Sequence, residues 1–119
     1  MATNVKSLAE FDEIQAHLSP KIELIVLFFF DRFDEKSYRM RLNVDLMSED
    51  DDFIDRVSFL KCNKESHNHD MFEKYNIETI PTFLFIKSNE QVATPCTGLD
   101  ALSAPKIEAV INDLINGKK

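Results

Sequence analysis

Between residues 22 and 30 the chain reads Ile-Glu-Leu-Ile-Val-Leu-Phe-Phe-Phe, apolar except for Glu23. A run with so little alternation predicts a strand covered on both faces, as in the middle of an α/β sheet. It is too short to span a bilayer. Before it, Leu8, Phe11, Ile14 and Leu18 recur at helical spacing behind Ser7-Leu8-Ala9-Glu10, which has the form of a capping box. These residues predict a helix over 8–18, ended by Ser19-Pro20. A short edge strand around Val5, over residues 3–6, precedes it.

After the apolar run, Asp34 is placed to cap a second helix that reaches about Met47, with Met40, Val44 and Met47 facing inward. The acidic run Ser48-Glu49-Asp50-Asp51-Asp52 closes it. Residues 57–62 predict the next strand. A short helix follows, capped by Asn68, carrying Asp70 in its first turn and stopping at Asn76. Thr82–Ile86 and Gln91–Thr97 form a hairpin across Ser88-Asn89. A last helix is capped by Ser103, with Pro105 in its first turn and Ile107, Val110, Ile111 and Leu114 on one face, and it stops at Gly117. The order strand, helix, strand, helix, strand, helix, hairpin, helix predicts parallel pairing first and antiparallel pairing last. The expected fold class is therefore α/β with a mixed sheet, in a single domain over residues 1–119.

Composition narrows the function. The 119 residues are 44% hydrophobic, enough for one packed core. Two glycines leave no Gly-rich phosphate loop. A net charge of −7 disfavours nucleic acid and anionic membranes as partners. Cys62 and Cys96 form no CxxC pair, and two cysteines fit a reducing compartment. Cys62, His67, His69 and Asp70 offer one sulfur and no zinc spacing. Asp45, Glu49, Asp50, Asp51, Asp52 and Asp55 lack the spacing and central glycine of a calcium loop. Asp34, Glu35 and Ser37 have no histidine nearby to complete a hydrolytic site. No metal and no cofactor is expected. Ser48, ahead of three acids, has the pattern of an acidophilic kinase site. Met40, Met47 and Met71 read as core filler.

The stretch Glu73-Lys74-Tyr75-Asn76-Ile77-Glu78-Thr79-Ile80-Pro81-Thr82-Phe83-Leu84-Phe85 resembles the Lys-Tyr-Gly-Ile…Ile-Pro-Thr segment of the thioredoxin family, whose proline is cis. Gly98 falls where that family has a glycine after its last strand. The whole is most similar to the amino-terminal thioredoxin-like domain of the multidomain monothiol glutaredoxins of the PICOT type, over Val-Ser-Phe-Leu-Lys at 57–61 and the segment just quoted. The resemblance implies a thioredoxin fold, a central mixed five-stranded sheet flanked by four helices, and a cis Ile80–Pro81 bond.

At the family's catalytic loop this chain departs. Phe30-Asp31-Arg32-Phe33-Asp34-Glu35-Lys36-Ser37 lies where Trp-Ala-x-Trp-Cys-Gly-Pro-Cys is found. Asp34 replaces the nucleophilic cysteine, Ser37 the resolving one, and Phe28 the buried acid. A carboxylate and a hydroxyl cannot carry thiol–disulfide exchange, so no enzymatic activity is expected. The resemblance implies instead a redox-inactive interaction or scaffold module, part of a monothiol glutaredoxin that serves iron–sulfur and redox homeostasis. A protein partner would bind in a groove formed by Phe33, Asp34, Ser37, Ile80, Pro81, Thr82 and Gly98, with the Ile80 backbone open to an extended ligand. The expected compartment is the cytoplasm, with the nucleus as a second, and the isolated domain is expected to be a monomer. The alternative is a single-cysteine thiol redox protein using Cys62 or Cys96. Assembly factors of the spliceosomal and phosducin-like branches fit the Ile-Pro-Thr match less well.

Overall fold

The computed structural model describes residues 2–64 and 69–117. The apolar run forms β2 (Leu24–Phe30), two residues shorter than expected, and all seven of its residues are buried. It lies at the centre of a five-stranded sheet of order β1-β3-β2-β4-β5, with β1 (Thr3–Asn4), β3 (Val57–Asn63), β4 (Thr82–Lys87) and β5 (Glu90–Thr97). β1, β3 and β2 run parallel, whereas β4 is antiparallel to both β2 and β5. The sheet is mixed, as the element order requires.

Four helices cover it. On one face, α2 (Glu35–Ser48) and α4 (Ala104–Asn116) bury Met40, Val44, Met47, Ile107, Ile111 and Ile115 against Val26, Phe28 and Phe30. On the other, α1 (Leu8–Ala16) and α3 (His69–Lys74) bury Phe11 and Met71 against Leu27, Phe29 and Cys62. Alternate residues of β2 thus feed two separate cores, which is why the run shows no polar alternation.

Local chemistry accounts for most element boundaries. The Ser7 side chain accepts from the Glu10 N–H at 3.1 Å, and the Glu10 carboxylate accepts from the Lys6 N–H at 3.2 Å. α1 ends at Ala16, before the expected residue 18, and half-buried Leu18 still packs on the core from beyond the helix. Asp34 occupies the first cap position of α2, but its side chain makes no capping bond, which corrects the expected role. The expected cap Asn68 and the residue His67 lie outside the described residues. Asn76, Ser88 and Asn89 have φ of 52°, 52° and 67°, the left-handed geometry expected of a helix stop and a two-residue hairpin turn. A single 3₁₀ turn over Asp100–Leu102, unforeseen in the sequence, precedes α4. The segment after α2 turns back so that Phe53 is buried.

Neither edge of the sheet is an open template. β1 has two residues, and β5 carries Pro95 and an irregular pairing opposite Leu84, with Ala93 at φ 64°.

Two polar ties cross the structure. Arg56 donates to both carboxylate oxygens of Glu23, at 2.5 and 3.3 Å, and to the Ile115 carbonyl at 2.9 Å, joining the start of the sheet to the end of α4. The guanidinium holds the Glu23 carboxyl below the usual carboxylate range. A lowered native pKa means that this tie is complete at neutral pH and is lost as acid protonates Glu23. The second tie is less exposed. Lys61 points from β3 towards α2 and pairs with Asp45 at 3.0 Å, their side chains 8% and 19% exposed. Asp45 also accepts from the Ala2 N–H at 3.2 Å.

Removing one member of a desolvated pair strands the other charge. Asp45→Ala is therefore expected to destabilise the fold by about 3 kcal/mol, read as a lower urea midpoint. The double variant Asp45→Leu/Lys61→Met should recover most of that loss. A double variant no more stable than the single one would show that the charge pair is not the source.

Candidate functional site

Strand register brings three separate segments together at one end of the sheet. Phe29 pairs with Thr82 in the antiparallel β2–β4 ladder, so the chain leaving β2 at Asp31 runs beside Ile80 and Pro81. Thr82 pairs with Thr97, which places Gly98 on the other side of Pro81. The Gly98 N–H donates to the Pro81 carbonyl at 3.1 Å. Gly98 has φ 61°, and a Cβ there would meet no atom within 4 Å, so backbone conformation and not space favours glycine. The Ile80–Pro81 bond is cis. The seven residues named from the sequence thus converge on one region.

They do not all face solvent. Pro81, Thr82 and Ser37 are buried, and Asp34, Ile80 and Gly98 are half-buried. The exposed apolar surface comes from Phe33, 77% exposed, and from Leu99, 80% exposed. Leu99 was missed in the sequence. Its signal is an apolar residue directly after the turn glycine, where a polar one would serve the turn equally well. The Arg32 guanidinium lies 5.9 Å from the centre of the Phe33 ring.

Between Phe33 and Leu99 runs the 79–80 backbone. Among the described residues no backbone hydrogen bond to the Ile80 N–H or C=O is found, while the Thr79 carbonyl accepts from the Thr82 hydroxyl at 2.6 Å. A shallow hollow of about 180 Å³, lined in part by Thr79, Thr82, Pro95 and Thr97, lies alongside.

Ser37 explains how the loop keeps its shape. Its oxygen accepts from the Asp31 N–H at 3.2 Å and lies 3.1 Å from the Asp34 carbonyl and 3.3 Å from the Asp31 carbonyl, either of which its hydroxyl can donate to. The Asp31 carboxylate accepts from the Phe33 N–H at 3.0 Å. A fully buried hydroxyl bonded on both sides acts as a structural clasp, and among the described residues its bonds run to the backbone of Asp31 and Asp34. Phe28 is packed by the rings of Phe30 and Phe83 at centroid distances of 5.3 and 4.7 Å, an apolar surrounding in which a carboxylate would be desolvated.

Neither thiol belongs to the 31–37 loop. Cys62 is fully buried on the α1–α3 side, and burial, reinforced by Asp70, pushes its thiol far above the ordinary range. Cys96, on β5, is also buried and pushed up by burial and by Asp100, against an opposing effect of Lys106. Neither has the electropositive, accessible surroundings that lower a thiol pKa. Asp70 is occupied structurally: it accepts from the Leu8 N–H at 2.8 Å and from the Met71 N–H at 2.8 Å. Among the described residues no cluster of three His, Cys, Asp or Glu side chains is placed to hold a metal ion.

No protein-family model matches the chain, and no curated protein is similar to it in sequence. Solved structures are similar. Fasciola hepatica thioredoxin superposes with a TM-score of 0.79 at 21% identity, over 94% of this chain and 98% of that one. The germline-specific thioredoxin Deadhead of Drosophila melanogaster gives 0.78 at 20% identity, over 96% and 99%. Plasmodium falciparum thioredoxin gives 0.76 at 23% identity, over 94% and 98%. At such identities the likeness speaks for architecture alone, and the chain has the thioredoxin fold.

Proposed function

We propose that the chain is a non-catalytic member of this fold that binds protein segments in extended form, at the surface between Phe33 and Leu99. The observation that carries this reading is the exposed apolar pair flanking a backbone segment whose Ile80 groups are free to bond. An extended peptide laid there would pair with main chain and seat apolar side chains on both flanks, which is strand addition on a small scale. The two residues at the family's cysteine positions support the absence of redox chemistry: Asp34 carries no sulfur, and the Ser37 hydroxyl is spent on the loop. The sequence resemblance at 57–61 and 73–85 supports reading the domain as part of a PICOT-type monothiol glutaredoxin, where it would recruit partners for iron–sulfur and redox homeostasis in the cytoplasm and nucleus. A reading frame that continues into a Cys-Gly-Phe-Ser glutaredoxin domain would bear on that assignment directly.

Binding is tested with peptides selected from a random display library. Amide shift changes should centre on Phe33, Ile80 and Leu99, and Phe33→Ala/Leu99→Ala should abolish them with the fold intact. Binders that map to another face, or that ignore the double substitution, would refute the reading.

The redox half is tested separately. Insulin reduction, with thioredoxin reductase or with dithiothreitol, should not exceed the protein-free rate. Turnover that disappears in Cys62→Ser or Cys96→Ser would establish the single-cysteine alternative. Consistent with burial, Cys62 in the native protein should react with a disulfide reagent about a thousandfold or more slowly than in the unfolded chain, and denaturant should remove the protection.

A further inference from the structure

Helix α2 is apolar on two opposite sides. Ser37, Met40, Val44 and Met47 are buried against the sheet. At about 100° per residue, Leu42 points directly away from that group, with Tyr38 and Leu46 within about 40° on either side. These three are 53%, 36% and 69% exposed. An ordinary surface helix turns its charges outward and its apolar stripe inward. Here a second stripe faces solvent, on the side remote from the sheet.

The charges along the same segment indicate what covers it. Lys36, Arg39 and Arg41 lie in the first half of α2, and Asp50, Asp51 and Asp52 follow its end. Arg39 bonds exposed Glu35 at 2.6 Å, and the Arg41 guanidinium stacks on Tyr38 at 4.0 Å. Anions near a helix end oppose the helix dipole, and α2 has no basic residue in its last turn to offset them. A second copy of the helix lying antiparallel supplies the missing cations, because the net basic first half of each meets the acidic end of the other. The apolar stripe is symmetric about Leu42, so a two-fold axis there lets Tyr38 of each copy meet Leu46 of the other. The sheet edges, blunted by the short β1 and by Pro95, offer no competing mode of association.

We propose that the chain forms a two-fold dimer through the outward stripe of α2, with the helices antiparallel, Leu42 near the axis, and Tyr38 of each copy opposite Leu46 of the other. One helix per protomer buries less than the roughly 1,200 Å² of a standard stable interface, so the dimer is weak and concentration-dependent. It departs from the monomer expected from sequence and leaves the Phe33–Leu99 surface as a separate site.

Sedimentation equilibrium over about 10 to 500 µM tests this, since mass action shifts a weak dimer across that range. The weight-average mass of the wild type should rise towards twice the chain mass. Leu42→Glu, at an exposed position, should stay monomeric with an unchanged circular dichroism spectrum. Two charge variants extend the test: Lys36→Glu/Arg39→Glu/Arg41→Glu, and Asp50→Lys/Asp51→Lys/Asp52→Lys. Each alone should be monomeric, and their equimolar mixture should dimerise. A wild type that is monomeric throughout, a Leu42→Glu variant that associates equally, or charge variants that do not complement each other would overturn the proposal.

Discussion

Everything in this molecule hangs on β2 being buried on both faces and along both edges. Seven consecutive apolar residues cannot be left facing water, so the strand demands parallel β3 on one side, antiparallel β4 on the other, and a helical layer above and below. Those requirements fix the sheet order and the assignment of α2 and α4 to one face. They also decide where a site can form. The chain leaving β2 turns at Asp31 beside the start of β4, which brings 31–37 next to 80–82 without any further design.

At that junction the loop is held by hydrogen bonds. Ser37 joins Asp31 and Asp34, Asp31 ties Phe33, and Gly98 ties Pro81. Buried polar groups that are satisfied in this way rigidify their surroundings. Two apolar side chains stand out from this rigid base. Phe33 and Leu99 are thus exposed side chains on a clasped floor.

Element order and the mixed sheet were readable in the sequence because they depend on periodicity and turn chemistry. The unbroken run at 24–30, the Ser7 and Ser103 caps, Asn76, the Ser88-Asn89 turn and Gly117 each carry a local signal that the tertiary structure leaves intact. What could not be read depends on neighbours distant in sequence. The clasping role of Ser37 exists only because Asp31 is turned towards it. Asp34 has the right residue type for a cap but directs its carboxylate elsewhere. Pro81 and Thr82 belong to the site by position yet are covered. The inward residues of α2 were identified correctly, whereas Tyr38, Leu42 and Leu46 share a helix with them and needed the packed structure to show which stripe the sheet takes. The pairing of Lys61 with Asp45, 16 residues away, has no local signal in the sequence.

The blunted sheet edges bear on how the protein ages in solution. A two-residue β1 and a β5 interrupted at Ala93–Pro95 give an incoming strand almost no run of free backbone groups to copy. A folded molecule is thus a poor seed for fibril growth. Loss of native protein must then begin with opening of the core, at a rate set by the barrier to exposing β2. Storage lifetime becomes a matter of unfolding kinetics, and solvent additives that merely mask surfaces should extend it little.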